Sequence, residues 1–265
     1  MADRKRLFLL TNDDGINARG LSSMIDLVRP KGNVFVIAPD QAQSGMSHAI
    51  TVKYPIRIQK QKEEDGLIIY SCNGTPVDCI KLALNKLLNR LPDMILSGIN
   101  HGSNSSTSIV YSGTMAAAIE GCLNGVPSVG FSLLDYSPDA EFAGIIKYVD
   151  AIIENVIHRG LPDGICLNVN FPVNHSNEVK GIRICRQNKG VWREEFDQRT
   201  DPQNRDYYWL TGEYFNLEPE AIDTDEWALK NGYVSVVPVH VDLTSYESLD
   251  YLKSWKFNPP VGGSA

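Results

Sequence analysis

Two adjacent carboxylates, Asp13 and Asp14, end the run Leu7-Phe8-Leu9-Leu10-Thr11-Asn12 and are followed by Gly15. Neighbouring carboxylates repel, and partial burial sharpens the repulsion unless a cation or a proton lies between them. A hard divalent cation takes oxygen ligands, so cation binding is the first chemistry the pair suggests. The competing reading is a polar turn capping the next helix, since Asn, Asp and Gly all suit turns. The apolar run places the pair. It reads as a strand buried on both faces of a parallel sheet, and ligands of such sheets gather at the carboxyl ends of the strands.

Two further loops follow apolar strands. One carries Ser44 and Gly45, and the other is Ser97-Gly98-Ile99-Asn100-His101-Gly102-Ser103-Asn104. In a parallel sheet these loops open onto one edge and can converge with the first. If Asp13 and Asp14 bind a divalent ion, Ser44 Oγ and the Asn100 amide oxygen can complete its protein ligands. The two carboxylates balance the charge, while magnesium or manganese retains positions for water and a phosphate oxygen. Taken singly, Ser44 and Asn100 also read as turn residues. A fourth element, Tyr111-Ser112-Gly113-Thr114, runs into the alanine-rich segment Met115-Ala116-Ala117-Ala118. Ser112 suits an N-cap, and the helix start with the Ser112 and Thr114 hydroxyls suits a phosphate. An ordinary capped helix is the alternative. A dication site and an anion site on one sheet edge together suggest phosphoryl chemistry. No GxxxxGK[ST] loop is present, and the first strand-to-helix turn lacks GxGxxG, which argues against P-loop and dinucleotide-binding readings.

The elements that must position these residues alternate between strand and helix. Strands are predicted at residues 33–38, 55–59, 67–72, 94–97, 128–132 and 166–170, with a charged turn over 60–66. Leu21, Met24, Ile25 and Val28 recur at helical spacing, Thr75-Pro76 opens another helix, and a long helix is predicted over 141–157. The pattern implies a three-layer, Rossmann-like, doubly wound and mainly parallel α/β sheet. Residues 1–185 read as the catalytic core. Residues 186–265 read as an extended hairpin arm, a strand at 234–239 and a closing helix at 245–255, within a single-domain enzyme. The arm carries Trp192, Tyr207, Tyr208 and Trp209 without a helical period, so it packs either on another subunit or back on its own domain. The tail, residues 259–265, is expected to be mobile.

Bulk properties narrow the partners. The 265 residues carry a formal net charge of −7, which argues against nucleic-acid binding by a basic face. No apolar run approaches a membrane span, and the first six residues lack a signal-peptide layout. The five cysteines form no CxxC pair and read as buried thiols of a reducing compartment, with the cytoplasm as the expected location.

Taken together, the chain resembles the SurE (survival protein E) family of nucleotidases. The matching blocks are Leu9-Leu10-Thr11-Asn12-Asp13-Asp14-Gly15, Ala38-Pro39-Asp40 with Gln43-Ser44-Gly45, Gly74-Thr75-Pro76, Ser97-Gly98-Ile99-Asn100 with Asn104, and Tyr111-Ser112-Gly113-Thr114 with Glu120-Gly121. Leu167-Asn168-Val169-Asn170, Thr224-Asp225 and the stretch 239–244 also fit, so the resemblance spans nearly the whole chain. It implies metal-dependent hydrolysis of nucleoside monophosphates, with 3′-nucleotides and short polyphosphate as further substrates. It implies one divalent ion per subunit, magnesium or manganese, on Asp13, Asp14, Ser44 and Asn100, with the two Asp residues catalytic. Asn12, Asn104, Ser112, Gly113 and Thr114 would surround the phosphate. It further implies a cytoplasmic dimer or tetramer that exchanges its C-terminal part. Ser106, Ser108 and Ala116 depart from the Gly, Asp and Gly common in the family and leave the four ligand positions untouched. His48 and His101 are candidates for protonating the leaving group or for supporting roles. Two rival readings are a haloacid-dehalogenase-like phosphatase, whose DxDxT layout is absent, and a non-catalytic nucleotide-binding module.

Overall fold

In β1 (Arg6–Thr11), side chains alternate between two separate cores. Phe8 and Leu10 join Leu21, Met24, Val149 and Ile153, whereas Leu9 joins Ile37, Ile80, Ile95 and Ala117. Successive strand residues point to opposite faces, so an unbroken apolar run requires cover on both. The computed structural model describes residues 4–137, 139–173, 179–193 and 196–257. The tail, 259–265, lies outside the described residues.

After β1 come α1 (Arg19–Val28), β2 (Gly32–Pro39), β3 (Ile58–Glu64), β4 (Leu67–Cys72), α2 (Pro76–Leu82) and β5 (Met94–His101). Next are α3 (Gly113–Leu123), β6 (Ser128–Leu133), α4 (Ile146–Arg159), β7 (Ile165–Phe171) and β8 (Ile182–Ile184). The chain closes with β9 (Gly190–Arg193), β10 (Phe196–Thr200), β11 (Asp206–Leu210), β12 (Glu213–Asn216), α5 (Asp225–Lys230), β13 (Val234–His240) and α6 (Tyr246–Lys253). One nine-stranded sheet runs β3-β4-β2-β1-β5-β6-β7-β13-β8. Its strands β4, β2, β1, β5, β6 and β7 are mutually parallel, and β3 and β13 run antiparallel to β4 and β7. The core residues of α1 and α4 cover one face and those of α2 and α3 the other. The doubly wound α/β architecture read from the sequence is the one observed.

The chain leaves β1 for β2 on one side and later returns to β5 on the other, so strand order reverses between β1 and β5. Loops at such a switch point part and open a crevice beyond the strand ends. α1 approaches β5 so closely that a Cβ on Gly20 would lie 1.9 Å from the Ile99 carbonyl oxygen. Only glycine permits this contact.

Three elements have other bounds than expected. The strand expected over 55–59 starts only at Ile58 and, as β3, runs through the charged stretch to Glu64, which confines the turn to Asp65 and Gly66. As an edge strand, β3 tolerates Lys and Glu because one side of it faces solvent. The strand predicted at 94–97 continues to His101 across an irregularity at Gly98 and Ile99, and pairing with β6 resumes at Asn100 and Ser132. The long helix starts at Ile146 rather than residue 141, because buried Phe142 and Ile145 join the core through turns before the helix forms. The arm is a nested hairpin in which β9 pairs with β12 and β10 with β11. Among the described residues, no helix is long and apolar enough to cross a membrane.

Candidate functional site at the β1 and β5 ends

Asp13 and Asp14 sit where β1 gives way to its loop, at the switch point. Asp13 is 4% exposed and accepts the Thr114 hydroxyl on Oδ1. Burial, opposed by that hydrogen bond and reinforced by the charge of Asp14, pushes its carboxyl up to about 6. Asp14 accepts the His101 backbone N–H at 3.0 Å, which ties the β1 loop to the end of β5. Burial raises its pKa also, against the pull of that N–H. The Asp13 carbonyl accepts the Gln43 N–H at 2.7 Å, so the loop carrying Ser44 is fastened beside the pair.

Asn100 Nδ2 donates to the Gly102 carbonyl at 2.9 Å, which fixes the amide and leaves its oxygen as an acceptor. Asn104 is held from three sides. Its N–H donates to Asn170 Oδ1 at 2.9 Å, its Nδ2 donates to Ser132 Oγ at 2.7 Å, and its carbonyl accepts Asn168 Nδ2 at 2.8 Å. Ser132, Asn168 and Asn170, from β6 and β7, are therefore positioning residues to which the sequence reading gave no role, although Asn168 and Asn170 stand in one of the matching blocks. Two amides two apart on a strand were the available signal, because residues i and i+2 share a face.

A cleft of about 610 Å³ opens here, and Asp13, Ser44, Asn100, Asn104 and Ser112 give it polar walls. Tyr111, Tyr136 and Trp192 line it too, and no lysine or arginine does among the described residues. Ser112 caps α3 by accepting the Met115 N–H at 3.0 Å, as expected. Gly113, Thr114 and Asn12 do not line the cleft. Thr114 turns to Asp13 with its hydroxyl and its backbone N–H, so the start of α3 here serves a carboxylate. A Cβ on Gly113 would lie 2.8 Å from Asp13 Cβ, so this position must stay bare for the helix to reach the aspartate. Asn12 Nδ2 donates to the Gly15 carbonyl at 2.9 Å, and its buried Oδ1 has no partner among the described residues.

The two histidines separate. His48 Nε2 lies 3.1 Å from the buried Glu120 carboxylate, which also accepts Lys81 Nζ at 2.8 Å, and His48 is not among the cleft residues. His101 lines the cleft, and its Nδ1 lies 3.1 Å from the Ser137 carbonyl. A carbonyl only accepts, so Nδ1 carries the hydrogen and Nε2 is left for other contacts.

The model of the Survival protein SurE family matches residues 8–194. The chain belongs to the SurE family. The 5′-nucleotidase SurE of Flavobacterium psychrophilum is 51% identical over 255 residues, covering 96% of this chain and 99% of its own. That of Phocaeicola vulgatus is 49% identical, covering 96% and 98%. The crystal structure of the SurE protein from Aquifex aeolicus matches with a TM-score of 0.80 at 38% identity, over 93% of this chain and 98% of that one. Ser106, where the resemblance leads one to expect glycine, has φ +50°, a conformation at which glycine is at ease, and its hydroxyl donates to the Asn188 carbonyl at 2.9 Å.

The donor set fits a hard divalent cation. Among the described residues no three His, Cys, Asp or Glu side chains gather to hold a metal. Two carboxylates completed by neutral oxygens such as Ser44 and Asn100 are the set available. Asp13 lines the cleft and Asp14, its neighbour in the chain, does not; with no lysine or arginine among the described lining residues, a phosphate there would otherwise meet the aspartate charge with repulsion alone.

Proposed function

We propose that this chain is a divalent-metal-dependent phosphatase that hydrolyses nucleoside monophosphates to nucleoside and phosphate. The observation that carries the reading is the convergence of Asp13, Ser44, Asn100, Asn104 and Ser112 on one cleft that, among the described residues, no lysine or arginine lines. The names of the relatives, 5′-nucleotidases of about half-identical sequence, support the same substrate class.

Asp13, Asp14, Ser44 and Asn100 would hold one magnesium or manganese ion. Bound there, the ion supplies positive charge and Lewis acidity toward a phosphoryl oxygen. Asp13 is kept competent as a ligand by the Thr114 hydroxyl, which favours its charged form. The Asn104 amide, held rigid by Ser132, Asn168 and Asn170, and Ser112 at the α3 start would orient the phosphate oxygens. His101, on the cleft wall, would be the candidate proton donor to the leaving ester oxygen. We also propose that the arm and α6 meet a second copy of the chain in a dimer or tetramer. Exposed Phe196, Tyr208, Trp209, Tyr246 and Tyr251 support this, as a monomer rarely leaves so many aromatics in water. A cytoplasmic location is supported by five buried, free cysteines.

Phosphate release from AMP, followed with Mg²⁺, with Mn²⁺ and with EDTA, tests the reading. Activity is expected only with metal. Asp13→Asn and Asn100→Ala are each expected to weaken Mn²⁺ binding at least tenfold by calorimetry while the circular dichroism stays native. Full activity in either variant would sink the ligand assignment. Nucleotide binding without turnover would favour a binding module, and a trapped acyl-phosphate on either aspartate would favour a covalent route.

A further inference from the structure

We propose that Trp192, carried into the cleft by the arm, is the nucleobase-stacking residue of this site. The proposal rests on the phosphatase reading and deepens it by assigning the subsite for the nucleoside half of the substrate.

The cleft has two chemically distinct kinds of wall. Asp13, Asn100 and Asn104 provide oxygen and amide groups, whereas Trp192, Tyr136 and Leu210 provide apolar surface. At about 610 Å³ it exceeds what a phosphate needs and lies in the range of sites that hold whole small molecules. A nucleotide has the matching polarity, with a dianion at one end and a flat π-surface at the other. Stacking on aromatic rings recognises any base through its face, and a wall with no lysine or arginine among the described residues suits that mode.

Trp192 is held in place rather than merely exposed. It pairs directly with Tyr214 across the β9–β12 ladder, and the two rings meet edge to face at 6.0 Å. The Tyr214 hydroxyl lies 2.6 Å from Ser106 Oγ and 2.5 Å from Asn188 Oδ1. Buried Asp225 then joins both of those residues, accepting the Ser106 N–H at 2.8 Å and the Asn188 N–H at 2.9 Å. Ser106 is two residues from Asn104 in the same loop. One hydrogen-bonded frame therefore spaces the aromatic wall from the phosphate end, so the arm sets where a base can lie. Despite this anchoring, Trp192 remains 39% exposed, an open aromatic surface on the cleft wall.

The test compares Trp192→Ala with the unchanged protein, both as full chains with Mn²⁺. The substrates are AMP and ribose 5-phosphate, which lacks the base. Loss of one stacking partner is expected to lower kcat/KM for AMP roughly 10- to 100-fold, mainly through KM, and to alter kcat/KM for ribose 5-phosphate less than about twofold. Adenosine, added as a competitive inhibitor of AMP hydrolysis, is expected to lose affinity by a similar factor. Trp192→Phe should recover most of the AMP activity, and the melting temperatures of both variants should stay near that of the parent. Unchanged KM for AMP, or an equal fall with both phosphates and unchanged adenosine inhibition, would overturn the proposal while leaving the phosphatase reading intact. Failure of the unchanged protein to hydrolyse AMP would instead overturn the reading on which it rests.

Discussion

The Thr114 hydroxyl donates to Oδ1 of Asp13, joining the first turn of α3 to the end of β1 across 101 residues of chain. Both groups are buried, so the bond is not exchanged for water. It favours the charged carboxylate and opposes the burial that raises its pKa. Thr114→Val keeps the shape and removes the donor. The variant is expected to bind Mn²⁺ more weakly and to lose roughly tenfold or more in activity, as hydrogen bonds to charged groups contribute about 1.5–3 kcal/mol. Thr114→Ser should restore both. Calorimetry and steady-state rates with Mn²⁺ check this, and an unaffected valine variant would remove Thr114 from the site.

The raised pKa of Asp13 makes metal-free stability depend on pH. Its folded value of about 6 lies above the unfolded value near 3.8, so the folded state holds the proton more tightly. The resulting stability is fully present below pH 3.8 and is lost as pH rises through 6. In EDTA, the stability of the parent relative to Asp13→Asn should therefore fall across that window. The change should be on the order of 3 kcal/mol, from about 1.4 kcal/mol per pKa unit. Denaturant melts of both proteins from pH 4 to pH 7 measure it. A pH-independent difference would contradict the buried, raised carboxyl.

Gly20 lets α1 lie against β5 at Ile99, directly before Asn100. Gly20→Ala places a methyl 1.9 Å from the Ile99 carbonyl oxygen, and backbone must move. Overpacking of this kind costs about 1–3 kcal/mol or more. A fall of several degrees in melting temperature is expected, together with reduced activity as Asn100 shifts. A variant with parental stability and activity would mean that the helix does not rest there.

Cys166 is fully buried, and burial together with nearby Cys122 pushes its thiol up to about 12. The thiolate is the reactive form, and at pH 8 its population is on the order of 1 in 10,000. Iodoacetamide at pH 8 should leave Cys166 unmodified in the native protein and alkylate it in urea, as read by peptide mass spectrometry. Labelling in the native state at the unfolded rate would refute the burial.

Local patterns were enough for part of this molecule. The run Leu7-Phe8-Leu9-Leu10 declared a strand covered on both faces, because only burial on both sides tolerates four consecutive apolar residues. Thr75-Pro76 declared a helix start, and the structure completes it as a capping box with Asp78. Asp13 beside Asp14 declared a charge problem needing a solution. Patterns could not show that β3 runs through Lys60 to Glu64, since an edge strand is defined by what lacks a neighbour. Nor could they show that Gly98 interrupts β5 without ending it. Above all, the sequence by itself determined which residues could do phosphoryl chemistry, and the tertiary structure decided which of them meet. Thr114 turned to Asp13, Asn170 to Asn104, and Trp192 to the cleft. Those contacts join residues far apart in the chain, and they arise because the strand order and the folded-back arm bring their loops to one sheet edge.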